Sequence, residues 1–273
     1  MTTATRDPLA MFRLELVAPH GATFSRAPER ALHAALYRAL ERVEPTLARE
    51  IHGAAENPFT LSPIYRASDG APVGAVIERR ERVCARITSL DPRVGAALVA
   101  ALGDDGNPAA LDLEHQPFAV AGFGPSPPSG TATVTSASYA RVWAAARPLD
   151  EITLRFTSPT VFRNKGCDLL VPSPRLVFGS HLRRWRAFSP LTLPPIADDA
   201  LERLIGLGDT RLVVERRDLG YVTQPGFAGV ARYRIGGDAL FRRAIDALVA
   251  FAAYCGTGAR TAFGMGQTER VGP

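Results

Sequence analysis

The sequence predicts an α+β fold of two tandem ferredoxin-like (RRM-like) domains, and three observations carry that expectation. Residues 11–120 alternate segments of period two and period 3.6 in the order β-α-β-β-α-β, the order of a ferredoxin-like domain. Residues 121–130, AGFGPSPPSG, are dense in proline, glycine and serine and read as an inter-domain connection. The same element order fits residues 130–273 with one helix inserted. No residue-level repeat joins the halves, so the duplication rests on element order. The boundaries that follow are 1–125 and 126–273.

Each element has its own warrant. MFRLELV at 11–17 alternates apolar and polar residues as a strand does. Residues 27–48 place Ala31, Leu32, Ala35, Leu36, Leu40 and Val43 on one helical stripe, broken at Pro45; a second short helix runs to Ile51, with Gly53 as its terminator. FTLSPIY at 59–65 is extended, and residues 73–88 hold one or two strands. Residues 92–102 form a helix with Asp91 as cap and proline in the first turn, and residues 111–120 a further strand. Beyond the connection, a strand starts at 131–136 and a helix covers 139–146. EITLRF at 151–156 alternates as a strand, and Ser173-Pro174 opens a helix that runs through Trp185. A short helix at 198–205, strands at 211–216 and 227–235, an amphipathic helix at 238–254 and a last short strand complete the chain.

Composition narrows the class. Of 273 residues, 46% are hydrophobic and 22% charged, which is globular rather than disordered. No apolar run approaches the roughly 20 residues that span a bilayer, and the N-terminus lacks a signal-peptide apolar region. Cys84, Cys167 and Cys255 are odd in number and far apart, which argues against a disulfide framework or a zinc site and suits a reducing cytoplasm. His-Glu-x-x-His and Cys-x-x-Cys patterns are absent, so neither a metal nor a cofactor is expected. Ser62, Ser158 and Ser189 each precede proline without the nucleophile-elbow pattern, which counts against a serine hydrolase. The net charge of +5 and pI of about 9.5 favour an anionic partner.

The chemistry-bearing residues fall into two groups. Near the C-terminus, CGTGARTAFGMGQ at 255–267 holds Gly256, Gly258, Gly264 and Gly266 around Arg260. It is no dinucleotide fingerprint, because the third required glycine falls on Thr261 and too little chain follows for a βαβ unit. Two readings stand: a loop whose backbone N–H groups and Arg260 meet an anionic chain, or a turn that lets a strand pack closely. The basic residues Arg163, Lys165, Arg183, Arg184, Arg186, Arg232, Arg234 and Arg270 share this half. Trp185 lies among three of the arginines, which suits phosphate contacts and base stacking on RNA; a solvated helix face anchored by Trp185 accounts for the same pattern. His181, beside Arg183 and Arg184, reads as solvated helix surface. In the first half, His33 and Tyr37 are four residues apart and share a helix face, while His52 ends the next short helix. RNA cleavage without a metal needs a base for the 2′-hydroxyl, an acid for the leaving 5′-oxygen and positive charge near the phosphorane. Histidine suits both proton transfers. The alternatives are a helix-surface or half-buried histidine with an ordinary hydrogen bond at position 33, and a helix-end residue satisfying a carbonyl at position 52.

LHAALYRAL, EPTLAREIH and PFTLSPI in the first half, and FTSPTVFR, PSPRLVFGSHLRRW, GFAGVARYR and GTGARTAFGMGQ in the second, together resemble the CRISPR-associated repeat-RNA endoribonucleases of the RAMP superfamily, the Cas-six family. The resemblance runs from residue 31 to 267. It implies two tandem ferredoxin-like domains and metal-independent cleavage of precursor CRISPR RNA within its repeats, leaving 5′-hydroxyl and 2′,3′-cyclic phosphate ends. It also implies catalytic residues in the first domain. His52 matches one catalytic location of the family, Tyr37 a tyrosine that accompanies it, and His33 a helix position where other members carry a catalytic histidine. Some members place a lysine shortly after the position of His52, where Glu56-Asn57-Pro58 stands here. The implied partner is CRISPR repeat RNA held by Lys165, Arg183, Arg184, Arg232, Arg234, Arg260 and the glycines of the loop. Other effector-complex subunits, and a monomer or homodimer, are compatible with it; a membrane is not. The second reading is a non-catalytic subunit that binds the repeat RNA in an effector complex.

Overall fold

A computed structural model describes residues 9–103, 110–126, 136–219 and 222–272. The chain forms two compact units. One comprises Met1–Ser136 with Asp218–Gln224 and Ala262–Gly264; the other comprises Ala137–Arg217, Pro225–Thr261 and Met265–Pro273.

The first unit opens with strand β1 (Leu9–Val17) and the short β2 (Ala22–Thr23). Helix α1 (Pro28–Val43) buries Ala31, Leu32, Ala35, Leu36 and Leu40 of the expected stripe, with Ala39 added, whereas Val43 at its end is exposed. Pro45 lacks an N–H to continue the ladder, so α1 stops and α2 (Pro45–Gly53) starts, burying Leu47, Ala48 and Ile51. Short strands β3 (Phe59–Leu61), β4 (Tyr65–Arg66) and β5 (Val76–Ile77) precede β6 (Arg82–Ser89). Helix α3 (Pro92–Leu102) is capped as expected: the Asp91 carboxylate accepts from the Arg93 N–H at 2.8 Å. Strands β7 (Ala110–Leu113) and β8 (Gln116–Pro125) close the unit. The sheet order is β3-β6-β1-β8-β7. With β1, β3, β6 and β8 as first to fourth strands the order is 2-3-1-4, the ferredoxin-like arrangement.

The second unit repeats the plan. After the two-residue β9 (Ser136–Ala137) come α4 (Tyr139–Ala145), β10 (Glu151–Thr160), the hairpin β11 (Phe162–Asn164) and β12 (Cys167–Leu169), and α5 (Pro174–Phe188). Helix α6 (Asp198–Arg203) is the inserted one; β13 (Ile205–Asp218), β14 (Thr223–Ile235), α7 (Ala239–Cys255) and β15 (Thr268–Val271) follow. The sheet order is β13-β14-β10-β15, again 2-3-1-4. Helix α7 starts where Asp238 accepts from the Phe241 N–H at 2.8 Å. The α+β fold of two tandem ferredoxin-like domains is the one expected from the sequence.

Two local expectations change. Residues 121–125 are not a linker: they finish β8, where Gly122 and Gly124 lie opposite Glu15 and Arg13, and Phe123 stacks on Phe12 at 4.9 Å. A glycine- and proline-rich run joins a sheet when a neighbouring strand offers a ladder and an aromatic anchor. Residues 111–120 are not one strand but the β7–β8 hairpin. Its turn puts Glu114 (φ 52°) and His115 (φ 65°) in the left-handed region, and Asp112 Oδ1 accepts from the His115 N–H at 2.8 Å. The Ser126 N–H still bonds to Met11 O at 2.9 Å, while residues 127–130 of the expected connection and the strand start at 131–135 lie outside the described residues.

Candidate active site

Three expected residues meet in the first unit. Helix α1 carries His33 and Tyr37 one turn apart, and their rings lie 4.8 Å from each other. The proline break turns the chain into α2, whose last turn carries His52; the Tyr37 and His52 rings meet edge-on at 6.2 Å. All three line one cleft of about 670 Å³, with Arg38, Arg49, Asn57 and Phe263 also in its wall.

Their environments differ. His33 is half-buried against Tyr37, Phe59 at 5.7 Å and Phe263 at 4.3 Å. Its Nε2 is buried and has no hydrogen-bond partner among the described residues. Burial, and secondarily the charge of His52, lowers the His33 pKa to about 4, so its imidazole is neutral at pH 7. Burial raises the Tyr37 pKa, against an opposing contribution from the Asn57 side chain; the phenol keeps its proton as a hydrogen-bond donor. His52 is exposed. A neutral half-buried imidazole, a phenol hydroxyl and an exposed imidazole therefore share one cleft. Among the described residues, no group of three or more His, Cys, Asp or Glu side chains could hold a metal ion.

The glycine-rich segment is not the expected anion cradle. The N–H of Gly256 bonds to Ala252 O at 2.8 Å, Thr257 to Gly266 O at 2.7 Å, Ala259 to Val161 O at 2.8 Å and Gly266 to Pro159 O at 2.9 Å. Gly258 donates to Ser180 Oγ at 3.3 Å and Gln267 to Ser158 Oγ at 2.9 Å. With those donors engaged inside the protein, the close-packing reading holds. Gly256, Gly258 and Gly266 have φ of 66°, 77° and 68°, and an added Cβ at Gly266 would lie 2.1 Å from Thr257 O. Gly264 (φ 77°) packs beside Glu29 and Pro63 in the first unit.

Arg184 is a correction of the same kind. It is 5% exposed. Its Nη1 donates to the carbonyls of Cys255 (2.9 Å) and Gly256 (3.2 Å), and its Nη2 to Gly258 O (2.8 Å) and Thr261 Oγ1 (3.2 Å). The guanidinium thus caps the negative C-terminal end of α7 and presents no face to RNA. Trp185 is buried, with Nε1 donating to Leu191 O at 2.8 Å, and does not stack on bases. His181 is buried rather than solvated, with Nε2 2.8 Å from Thr257 Oγ1. Burial foremost, then the charges of Arg184 and Arg183, lowers its pKa to about 3. The helical spacing Val177, His181, Arg184, Trp185 marks one buried face of α5 and was the available signal.

Most of the remaining basic residues are surface groups; Arg270 is instead half-buried, with Nη1 2.7 Å from the buried Asp246 carboxylate. Lys165 is exposed in the β11–β12 turn, with φ 48°. Arg183 is exposed and, with Arg163, Arg175 and Arg186, lines a cavity of about 550 Å³ that Gly258 also borders. Arg232 and Arg234 are exposed on β14; Arg232 lies 3.6 Å from Glu151. Arg260 is half-buried, with φ 60°. Sequence reasoning missed Arg38 and Arg49 on the two helices, and Phe263 and Asn57 outside them. Neither Phe263 nor Asn57 belongs to the spacing pattern of the two helices, and only the folded chain brings Phe263 to His33.

Acid stability follows from the two buried histidines. Each is neutral in the fold but ionises below pH 6.5 in the unfolded chain, so protons bind preferentially to the unfolded state as the pH falls. Their contribution is present above pH 6.5 and is lost as the pH falls toward about 4 for His33 and about 3 for His181. For His33 the loss is on the order of 3 kcal/mol. Urea unfolding at pH 7.5 and pH 4.5 is expected to show a lower midpoint at pH 4.5, with a smaller difference in a His33→Asn variant. Equal midpoints in the wild type would contradict the burial of both imidazoles.

The fold and the cleft define a class: an α+β protein of two ferredoxin-like domains with His33 and His52 in one cleft of the first. The comparisons make it specific. A family model described as "CRISPR-associated endoribonuclease Cas6" matches residues 154–268. A curated CRISPR-associated endoribonuclease Cas6 of Mycobacterium tuberculosis (strain CDC 1551 / Oshkosh) is 30% identical over 148 residues, 50% of this chain and 47% of that protein. The match thus spans about half the length of the curated relative. Among solved structures, the Cas6 (TTHB231) product complex superposes with a TM-score of 0.79 at 29% identity, covering 96% of this chain and 100% of that one. Thermus thermophilus Cas6 (TTHB231) gives a TM-score of 0.68 at 27% identity, covering 96% and 98%. A Cas6-related protein from Pyrococcus furiosus, 14% identical with a TM-score of 0.63 and coverage of 96% and 98%, shares the fold. The resemblance to the Cas6 endoribonucleases read from the sequence is borne out.

Proposed function

We propose that this protein is an endoribonuclease that processes precursor CRISPR RNA by cutting within its repeats without a metal ion. The observation that carries the proposal is the first-unit cleft, where neutral His33, the Tyr37 hydroxyl and exposed His52 converge. A buried nitrogen without a partner costs free energy until a donor reaches it. A ribose 2′-hydroxyl is such a donor. His33 takes the 2′-hydroxyl proton, O2′ attacks phosphorus, the P–O5′ bond breaks, and protonated His52 delivers a proton to O5′. Tyr37 donates to a non-bridging phosphate oxygen. Arg38 and Arg49, in the same wall, supply positive charge near the phosphorane in place of the family's lysine. The products are a 5′-hydroxyl and a 2′,3′-cyclic phosphate.

In the second unit, the exposed Lys165, Arg183, Arg232 and Arg234, with Arg260, hold the repeat through its phosphates. The work is done in the cytoplasm. Incubation with repeat RNA in buffer and in EDTA, followed by end-group analysis, tests this reading. Cleavage with 5′-hydroxyl and 2′,3′-cyclic phosphate ends is expected in both. Loss of cleavage in EDTA alone would remove the metal-free mechanism. Tight, salt-sensitive binding with no cyclic phosphate would replace the enzyme with a non-catalytic repeat binder.

A further inference from the structure

The first-unit part of the glycine-rich segment is aimed at His33. Ala262 is buried in the core that α1 packs on. Gly264, at φ 77°, brings the backbone so close to Glu29 that an added Cβ would lie 3.0 Å from Glu29 Cγ and 3.4 Å from Pro63 Cα. Glu29 is itself fully buried, and its Oε1 accepts from the Ile64 N–H at 2.8 Å. Fixed on both sides, Phe263 lays its ring 4.3 Å from the His33 imidazole with 30° between their planes, the nearest of the three aromatic rings around it. No other residue of the glycine-rich segment lines the cleft.

We propose that Phe263 is a positioning residue for the reaction, holding the His33 imidazole in one orientation and keeping water off its face. This rests on the proposed role of His33 as the base. An aromatic ring against an imidazole face adds attraction beyond area burial and restricts its rotation. Desolvation is the first cause of the lowered His33 pKa, and Phe263 is part of the apolar wall that produces it. The charged and titratable groups around the imidazole are Glu29 and Tyr37 on α1 and His52 on α2, with Arg38, Glu41 and Arg49 on the cleft wall. Phe263→Ala changes none of them.

The test reads His33 directly. Imidazole titration by NMR in RNA-free protein, assigned with a His33→Asn variant, is compared between wild type, Phe263→Ala and Phe263→Leu. In Phe263→Ala the His33 midpoint is expected to rise by about one pH unit or more, a tenfold or greater change in proton affinity. Single-turnover cleavage at pH 7 should fall by about tenfold, its acid limb moving upward, while repeat-RNA affinity stays. Phe263→Leu, which keeps apolar bulk, should hold the low midpoint yet cut more slowly than wild type, because the ring contact is gone. It also serves if the alanine variant does not fold. An unmoved His33 midpoint in folded Phe263→Ala, or wild-type cleavage by Phe263→Leu, overturns the proposal. The titration needs no cleavage, so a wild type that does not cut would count against the enzyme while leaving the Phe263 contact open to measurement.

Discussion

Alanine at His52 is expected to slow single-turnover cleavage of repeat RNA by roughly 10²–10⁴-fold, and alanine at His33 to do the same. The two losses have different causes. In the proposed reaction His52, exposed in the last turn of α2, is the acid, and its loss would leave O5′ to depart as an alkoxide. His33, kept neutral by desolvation, is the proposed base, and its loss would remove the acceptor for the 2′-hydroxyl proton. The signs follow: in the wild type the acid limb of the rate profile lies near pH 4, where His33 protonates, and His33→Ala removes that limb. The double variant should be little slower than the slower single one, because groups acting in one transition state do not add. Either single variant cutting at the wild-type rate would end the acid–base assignment.

Arg184→Leu is expected to destabilise the protein by about 3–5 kcal/mol, the range for removing one side of a buried charged interaction. Three carbonyls and one hydroxyl accept from its guanidinium, two of the carbonyls at the end of α7. Leucine fills much of the volume but leaves these acceptors buried without that donor. Arg184→Lys should recover only part of the loss, since a single ammonium cannot reproduce the fork. Urea unfolding at pH 7.5 provides the measurement. A variant of wild-type stability whose only defect is weaker RNA binding would return Arg184 to the RNA surface.

The fold was largely legible in the chain because its signals are local. Pro45 splits the first helix pair, Asp91 and Asp238 cap α3 and α7, and alternation marks β1 and β10. The hairpin at Glu114-His115 escaped notice because its turn uses two non-glycine residues in the left-handed region, where Asn-Gly or Asp-Gly is the usual sign. Within the site, spacing placed His33 and Tyr37 on one face, while His52 was joined to them only through the family resemblance. Phe263 is more than two hundred residues away in sequence, and no local pattern points it at His33. Arg183 and Arg184 are indistinguishable by composition; one is exposed and the other buried. The glycines located a special backbone, but composition says nothing of whether its N–H groups face inward or outward.

The inward-facing glycine segment changes what kinship in this half can report. The family match covers 154–268 and takes in every glycine of the segment, while His33 and His52 lie outside it. Most of those glycines meet steric demands of the backbone that owe nothing to the reaction. A descendant that exchanged both histidines could keep the whole segment and still be recruited by the same match. The C-terminal signature is therefore a pedigree of architecture, and the match carries no information about His33 on α1 or His52 on α2.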